Sequence, residues 1–433
     1  MDQVQNIGAS DDNRPIRAPK LAPKYPVPLL LLIGLVGLLL LCDSLTGLIG
    51  LFPDSPGFAR TMPVASPVCG EWEVQPSPKM PLFNGLSNVG ALTMLSRSDA
   101  WIVGSSQTWG DNTDAYLMAL HWNGYRWTNT AVPSPSTDRI PAYLNLNNVV
   151  AVDTNDVWAI GSGQTKGQTV IRHWNGSTWS FEASPVLTSN SNHLYGLDVI
   201  DKDNIWAVGH ADIPNISWRI ESVLHTAIAN EAKTLILHWD GKAWTRVSAP
   251  EVGGLNAVAS VNANDIWAVG NGILHWDGSV WRASGDPNGI LHDLAVVDEN
   301  DIWAVGESKG RSLTEHWDGK TWAEVSNPLS DNLGKPALNT LNAVTAITRD
   351  DVWAVGSQFG STPDAQNLYN NNLLTVVLHW DGNVWNIVPS PSTSNREHFV
   401  DVVAVSNNEV WALGEDGDNG SVLIERFTRS QCQ

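Results

Sequence analysis

Long helical stretches rich in Ala, Glu, Lys and Leu are missing from this 433-residue sequence. Charged residues make up only 16%, fewer than in an average soluble domain. These absences exclude a helix-dominated fold. Cations are also scarce, with 25 Lys and Arg against 45 Asp and Glu and a formal charge of -20. Residues 1–60 carry equal numbers of basic and acidic side chains, so the deficit lies in the remainder. An acidic body repels phosphate backbones and anionic headgroups, which argues against a nucleic-acid partner. What is abundant is Trp, with 22 copies, together with 36 Gly and 24 Pro. Short apolar runs punctuated by Gly, Asn, Asp and Pro are the pattern of an all-β chain.

The first 24 residues are polar, with Arg14, Arg17, Lys20 and Lys24 ahead of an apolar run. They read as a disordered cytoplasmic tail. Pro26 to Cys42 is uninterrupted apolar, and Leu45 to Phe52 resumes after Asp43 and Ser44. A span needs about 20 residues, which 25–52 supplies. Basic residues precede it, which places the N-terminus inside and the body outside. An uncleaved signal anchor is the expectation, with a cleaved signal peptide or a lipid anchor on Cys42 as alternatives. Residues 53–68, rich in Pro and Ser, read as a stalk.

From Cys69 onward two signatures alternate. One is Asp-Ile/Val-Trp-Ala-Val-Gly, centred on Trp101, Trp158, Trp206, Trp267, Trp303, Trp353 and Trp411. The other is His-Trp-Asp-Gly-x-x-Trp, starting at His238, His275, His316 and His379, with Asn-for-Asp versions at His121 and His173. Copies recur about every 50 residues, within the range of propeller blades. Each unit reads as four strands: an apolar first strand, a tight polar turn, the Trp-Ala-Val-Gly strand, a third strand ending in His-Trp, and a fourth carrying the last Trp. Asp-Gly signals a hairpin with a type I′ turn, as does Asn271-Gly272 in the barest repeat. The expected fold is an all-β, seven-bladed β-propeller of four-stranded blades, over residues 69–433, preceded by one transmembrane helix. An open solenoid is the runner-up.

The last repeat ends with Arg426-Phe427 and lacks a fourth strand, whereas Cys69-Gly70-Glu71-Trp72-Glu73-Val74 looks like an orphan fourth strand. The N-terminal strand is therefore expected to close the ring. Cys69 and Cys432 sit where the missing turn would be, which predicts a disulfide between them, as the compartment permits.

The alternating motifs resemble the uncharacterised repeat propellers of bacterial surface proteins. The link to Asp-box propellers of the sialidase type, or to kelch propellers, is more distant. These resemblances imply fold and carry no catalytic residues across.

The repeated histidines would lie far apart around a ring, so they are read as structural, bonding backbone or a turn Asp. Asp265, Asp301 and Asp351 are expected to bond turn amides. The links between strands two and three, and between strand four and the next first strand, vary and should share one face, the default binding surface. Trp109 and Trp218 are the two Trp residues outside the repeat positions, and both lie in such insertions. With Asp111 and Asp114 they are the candidate ligand-binding residues, for stacking on a sugar or anchoring a protein. The insertion His210 to Thr234 has helical apolar spacing. Asp111 and Asp114, or Glu415, Asp416 and Asp418, offer oxygen ligands for Ca²⁺, but neither set matches a calcium loop, so no metal and no cofactor are assigned. Asp198, His292, Asp293 and Asp401 lie in first strands and are too scattered to name a catalytic set. The leading expectation is a membrane-anchored extracellular module binding protein or glycan at the cell surface without catalysis. The alternatives are a sialidase-like hydrolase or lyase, which clustered carboxylates at the channel would favour, and an assembly factor for a membrane complex.

Overall fold

The computed structural model describes residues 68–77, 87–107, 115–133, 144–163, 169–185, 192–211, 232–330, 339–359, 373–391, 394, 396–417 and 420–430. The chain divides into two units, Met1–Met62 and Pro63–Gln433, and every described residue belongs to the second. The expected tail (1–24), membrane anchor (25–52) and all but the last residue of the stalk (53–68) lie outside the described residues. Among the described residues no helix is long and apolar enough to cross a membrane.

The described residues form an all-β propeller. Strand β1 is Gly70–Val74. Next come β2 to β5 (Ser87–Ser96, Asp99–Gln107, Ala115–Trp122, Trp127–Thr130) and β6 to β9 (Asn145–Asp153, Asp156–Gly163, Val170–Trp174, Trp179–Phe181). Then follow β10 to β13 (Asn192–Asp201, Asn204–Ala211, Lys233–Trp239, Trp244–Arg246) and β14 to β17 (Leu255–Asn262, Asp265–Gly270, Ile273–Trp276, Trp281–Gly285). The series ends with β18 to β21 (Ile290–Asp298, Asp301–Ser308, Arg311–Trp317, Trp322–Glu324), β22 to β25 (Asn339–Thr348, Asp351–Phe359, Leu373–Trp380, Trp385–Ile387) and β26 to β28 (Glu397–Ser406, Glu409–Asp416, Ser421–Arg429). Five sheets have four strands. A sixth has eight, where β10 pairs with β7 through Asn192↔Gly163 and His193↔Ser162. All ladders between named strands are antiparallel between sequence neighbours, as short hairpin links require. The exceptions are the β7–β10 ladder and β1, which pairs with β28 and sets Trp72 opposite Phe427. The orphan fourth strand thus completes the sheet of β26–β28.

The turn chemistry differs from the type I′ expectation. Asp240 to Ala243 form a four-residue loop between the paired Trp239 and Trp244. Asp240 Oδ1 accepts the amides of Lys242 and Ala243 at 2.9 Å, and only Gly241 takes a positive φ, +83°. An Asp side chain capping two amides replaces the second left-handed residue, so any residue suits the loop's third and fourth positions. Gly241 also lies against Asp203 of the first-to-second strand turn, so both tight connections share one end of the blade.

The blades adhere through aromatic rings. Every second-strand Trp but Trp411 packs on the His of its own third strand, as Trp267 does on His275 at 4.3 Å. It then meets two aromatics of the following blade, Trp317 at 4.8 Å and Trp322 at 5.6 Å in this case. The pattern runs from Trp101 to Trp353, which meets Phe427 and Trp72, and returns to the start where Trp411 approaches Trp122 at 6.3 Å. Each buried Trp removes on the order of 200 Å² from water, an upper bound of about 5 kcal/mol.

The acids before the second strand do not cap turn amides. Asp265 Oδ1 accepts from His275 Nε2 at 2.8 Å and from Trp267 Nε1 at 2.9 Å. The amide role falls to the residue three earlier, Asn262, which accepts Asn264 N. The β10–β13 blade uses Asn204 in place of Asp, with the same two bonds to His238 and Trp206. In the last blade Glu409 accepts Trp411 Nε1, and Arg426 replaces the His and pairs with Glu73 of β1. Asp265→Ala should therefore cost about 2 kcal/mol in urea unfolding by leaving two buried donors without an acceptor. Asp265→Asn should cost well under half of that, since Asn204 already performs the task.

Candidate functional site

Every first strand carries one extra residue before its midpoint. The ladders with the second strands shift at Gly90, Asn147, Tyr195, Asn256, His292, Asn342 and Val400. These β-bulges redirect the strand, and all seven residues line a single cavity of about 400 Å³. Such a cavity, fed by one position of every first strand, lies on the propeller axis. The Gly ending Trp-Ala-Val-Gly faces the bulge. A Cβ on Gly306 would sit 2.0 Å from Ile290 O, so only glycine fits.

The bulge side chains tie the blades together. Asn147 Nδ2 donates to Leu194 O at 2.7 Å, Asn256 Nδ2 to Leu291 O at 2.7 Å and Asn342 Nδ2 to Phe399 O at 2.6 Å. His292 Nδ1 bonds Leu341 O at 3.0 Å. Each acceptor precedes the next blade's bulge residue. The residue after the bulge extends the belt. Asp293 Oδ2 accepts Val344 N at 2.8 Å, and Asp401 Oδ2 accepts Leu92 N at 2.7 Å while its Oδ1 accepts Val402 N.

Asp293 and Asp401 are half-buried in the cavity wall. Burial raises Asp293 to about 6 and Asp401 to about 7, the latter further lifted by the charge of Asp293. Burial raises Glu415 to about 7 while Val89 N donates to its Oε1. His193, Tyr195 and His210 form an aromatic group, with His193 and His210 rings 5.0 Å apart. Burial lowers His193 and His398.

Of the residues singled out in the sequence, Asp293, Asp401 and His292 meet in this cavity. Asp198 does not line it and is buried against Ser260, which donates to it. The carboxylates that do cluster each accept a backbone amide of another blade, which makes them staples between blades. Trp109, Asp111, Asp114 and Trp218 lie outside the described residues, as do Asp418, Cys432 and most of the insertion expected to be helical. Glu415 and Asp416 are engaged by Val89 N and Ser394 Oγ. Among the described residues no three His, Cys, Asp or Glu side chains are grouped to hold a metal. Sequence reasoning passed over the bulge asparagines. Their signal was present in Leu146-Asn147, Leu255-Asn256 and Leu341-Asn342, an Asn after the first Leu of the strand.

No family model matches the chain, and no curated protein matches it by sequence. Solved structures share the fold. One titled YCF48 bound to D1 peptide is 14% identical, with a TM-score of 0.50 over 84% of this chain and 98% of that one. The structure of U3-55K is 11% identical, with a TM-score of 0.50 over 83% of this chain and 98% of that one. A GH74 xyloglucanase from Xanthomonas campestris is 12% identical, with a TM-score of 0.51 over 82% of this chain but 55% of its own. Identities this low establish the propeller fold alone.

The raised carboxyls make stability depend on pH. A group whose folded pKa lies above its unfolded value stabilises the fold below about pH 4, and the benefit fades as pH rises through the folded value. For Asp401 that window is about 4 to 7. Thermal unfolding from pH 4 to 9 should show Asp401→Asn gaining on the wild type, by about 1–2 kcal/mol at pH 8, with no gain at pH 4. A constant difference across the range would show that the burial of this charge is not the cause.

Proposed function

We propose that the chain is a binding module whose ligand enters the axial cavity, on a propeller tethered outside a membrane by residues 25–52. What supports the binding reading is the amide clamp on Asp293 and Asp401. Both carboxylates in the wall are fixed acceptors between blades, an arrangement suited to a rigid recognition surface. The cavity volume falls within the range of specific small-ligand and side-chain pockets. YCF48 in complex with a D1 peptide, on the same fold, makes a peptide segment the first class of ligand to try, with a surface glycan second. Trp109, Asp111, Asp114 and Trp218 of the variable insertions remain candidate contacts for that ligand.

The eight-stranded sheet reads as two blades, β6–β9 and β10–β13, so the ring has seven. We infer that Cys69 closes with Cys432. Cys69 O accepts from Ser430 N at 3.0 Å, two residues before Cys432, and the Cys69 sulfur is disulfide-bonded. A non-reducing peptide map should recover the two cysteines joined, and two free thiols would defeat the inference.

The purified full chain, screened against peptide and neutral glycan arrays, should retain ligands that Val400→Trp abolishes, because Val400 borders the cavity and a larger ring fills it. Ligands insensitive to Val400→Trp would place binding elsewhere. Glycoside hydrolysis is the second reading, favoured by two raised carboxyls in one cavity and by a xyloglucanase on the same fold. It requires release of reducing sugar from xyloglucan that Asp293→Asn and Asp401→Asn remove. No release from the wild type would discard it for that substrate.

A further inference from the structure

We propose that the axial cavity takes an ammonium or guanidinium group, carried by a Lys or Arg side chain of a partner protein; this rests on the binding reading above. Three observations carry it. First, the wall is built of acceptors. Asn147 spends both Nδ2 hydrogens, on Leu194 O and Ser162 Oγ, while Asn256 and Asn342 each spend one on a backbone carbonyl of the next blade, and each of these amide oxygens keeps at least one open lone pair for a ligand. Asn148 does likewise, donating Nδ2 to Tyr195 O. An acceptor-lined pocket is satisfied by a ligand with several donors and no acceptors, which describes ammonium and guanidinium.

Second, the formal charges in the wall are of one sign. Asp293, Asp401 and Glu307 line the cavity together with His210 and His292, and the described lining residues include no Lys or Arg. Asp401 accepts one amide on each oxygen, and a carboxylate offers about four acceptor sites, so capacity remains for a donor from the cavity. An anion would meet only repulsion there, and a neutral ligand would leave the carboxylates without a countercharge.

Third, Asp293 and Asp401 act on each other, since the charge of Asp293 raises Asp401. A cation placed between their blades relieves that repulsion and the burial penalty together. Binding must then release protons from these carboxyls, and affinity must rise with pH across the range in which they titrate. His193 and His398, lowered by burial, stay neutral at neutral pH.

The test uses the purified full chain and four probes: acetyl-Gly-Lys-Gly-amide, its Arg counterpart, its Nε-acetyl-lysine counterpart and putrescine. Titration calorimetry should show binding of the Lys and Arg peptides that tightens about tenfold from pH 5.5 to 8, with proton release, and no binding of the acetylated peptide. The isosteric pair Asp293→Asn and Asp401→Asn should abolish most of that gain. Equal binding of the acetylated peptide, or an unchanged pH slope in the double variant, overturns the proposal. Putrescine binding more tightly than either peptide overturns a protein side chain as the source. A neutral glycan or peptide that Val400→Trp excludes, with no Lys or Arg binding, defeats the cation and leaves the binding module standing. If no ligand at all responds to Val400→Trp, the binding reading itself fails.

Discussion

One extra residue in each first strand governs the centre of this protein. An inserted residue cannot join the ladder, so the bulged strand turns that side chain away from its neighbour and towards the axis. The strand opposite must then approach closely, which only Gly permits at positions such as Gly306. The same insertion supplies the side chains that reach the following blade. Asn147, Asn256, His292 and Asn342 each find the carbonyl just ahead of the next bulge. Cavity, glycine signature and inter-blade belt are consequences of one irregularity repeated around the ring.

The outer part of each blade solves a different problem. Wedges between radiating sheets widen outward, and indole rings fill them. Trp packs on its own His and against two rings of the next blade, while one carboxylate accepts from both the His and the Trp. Variation here is conservative in hydrogen-bond terms. Asn204 serves for Asp, and in the last blade Glu409 with Arg97 of the first blade replaces the pairing lost with its His. The ring's two ends therefore meet through an ion pair as well as through β1.

Asp293 and Asp401 show how a structural role shapes a functional surface. Their oxygens hold backbone amides of β22 and β2, which fixes them in a wall where burial and mutual repulsion make ionisation costly. Protein stability has to absorb this cost while the cavity is empty. A cationic ligand offsets it, so one pair of residues serves both the integrity of the ring and the choice of ligand charge.

The sequence by itself determined the repeat, the four-strand blade, the orphan strand β1 that completes the sheet of β26–β28, and the structural status of the His-Trp motif. Those follow from local pattern: a period of two in strands, Asp-Gly at hairpins, Trp at fixed spacing. It allowed the histidines a turn Asp as partner, as His275 and Asp265 show, but assigned those acids to turn amides, since Asp265 meets His275 only once two strands pair. It also judged Asp293 and Asp401 scattered, because 108 positions of chain separate them. Only ring closure brings them to one cavity. The bulges were decided by tertiary structure as well, for a ladder shift depends on how a strand fits its neighbours and leaves only a faint trace, an Asn after Leu, in the chain itself.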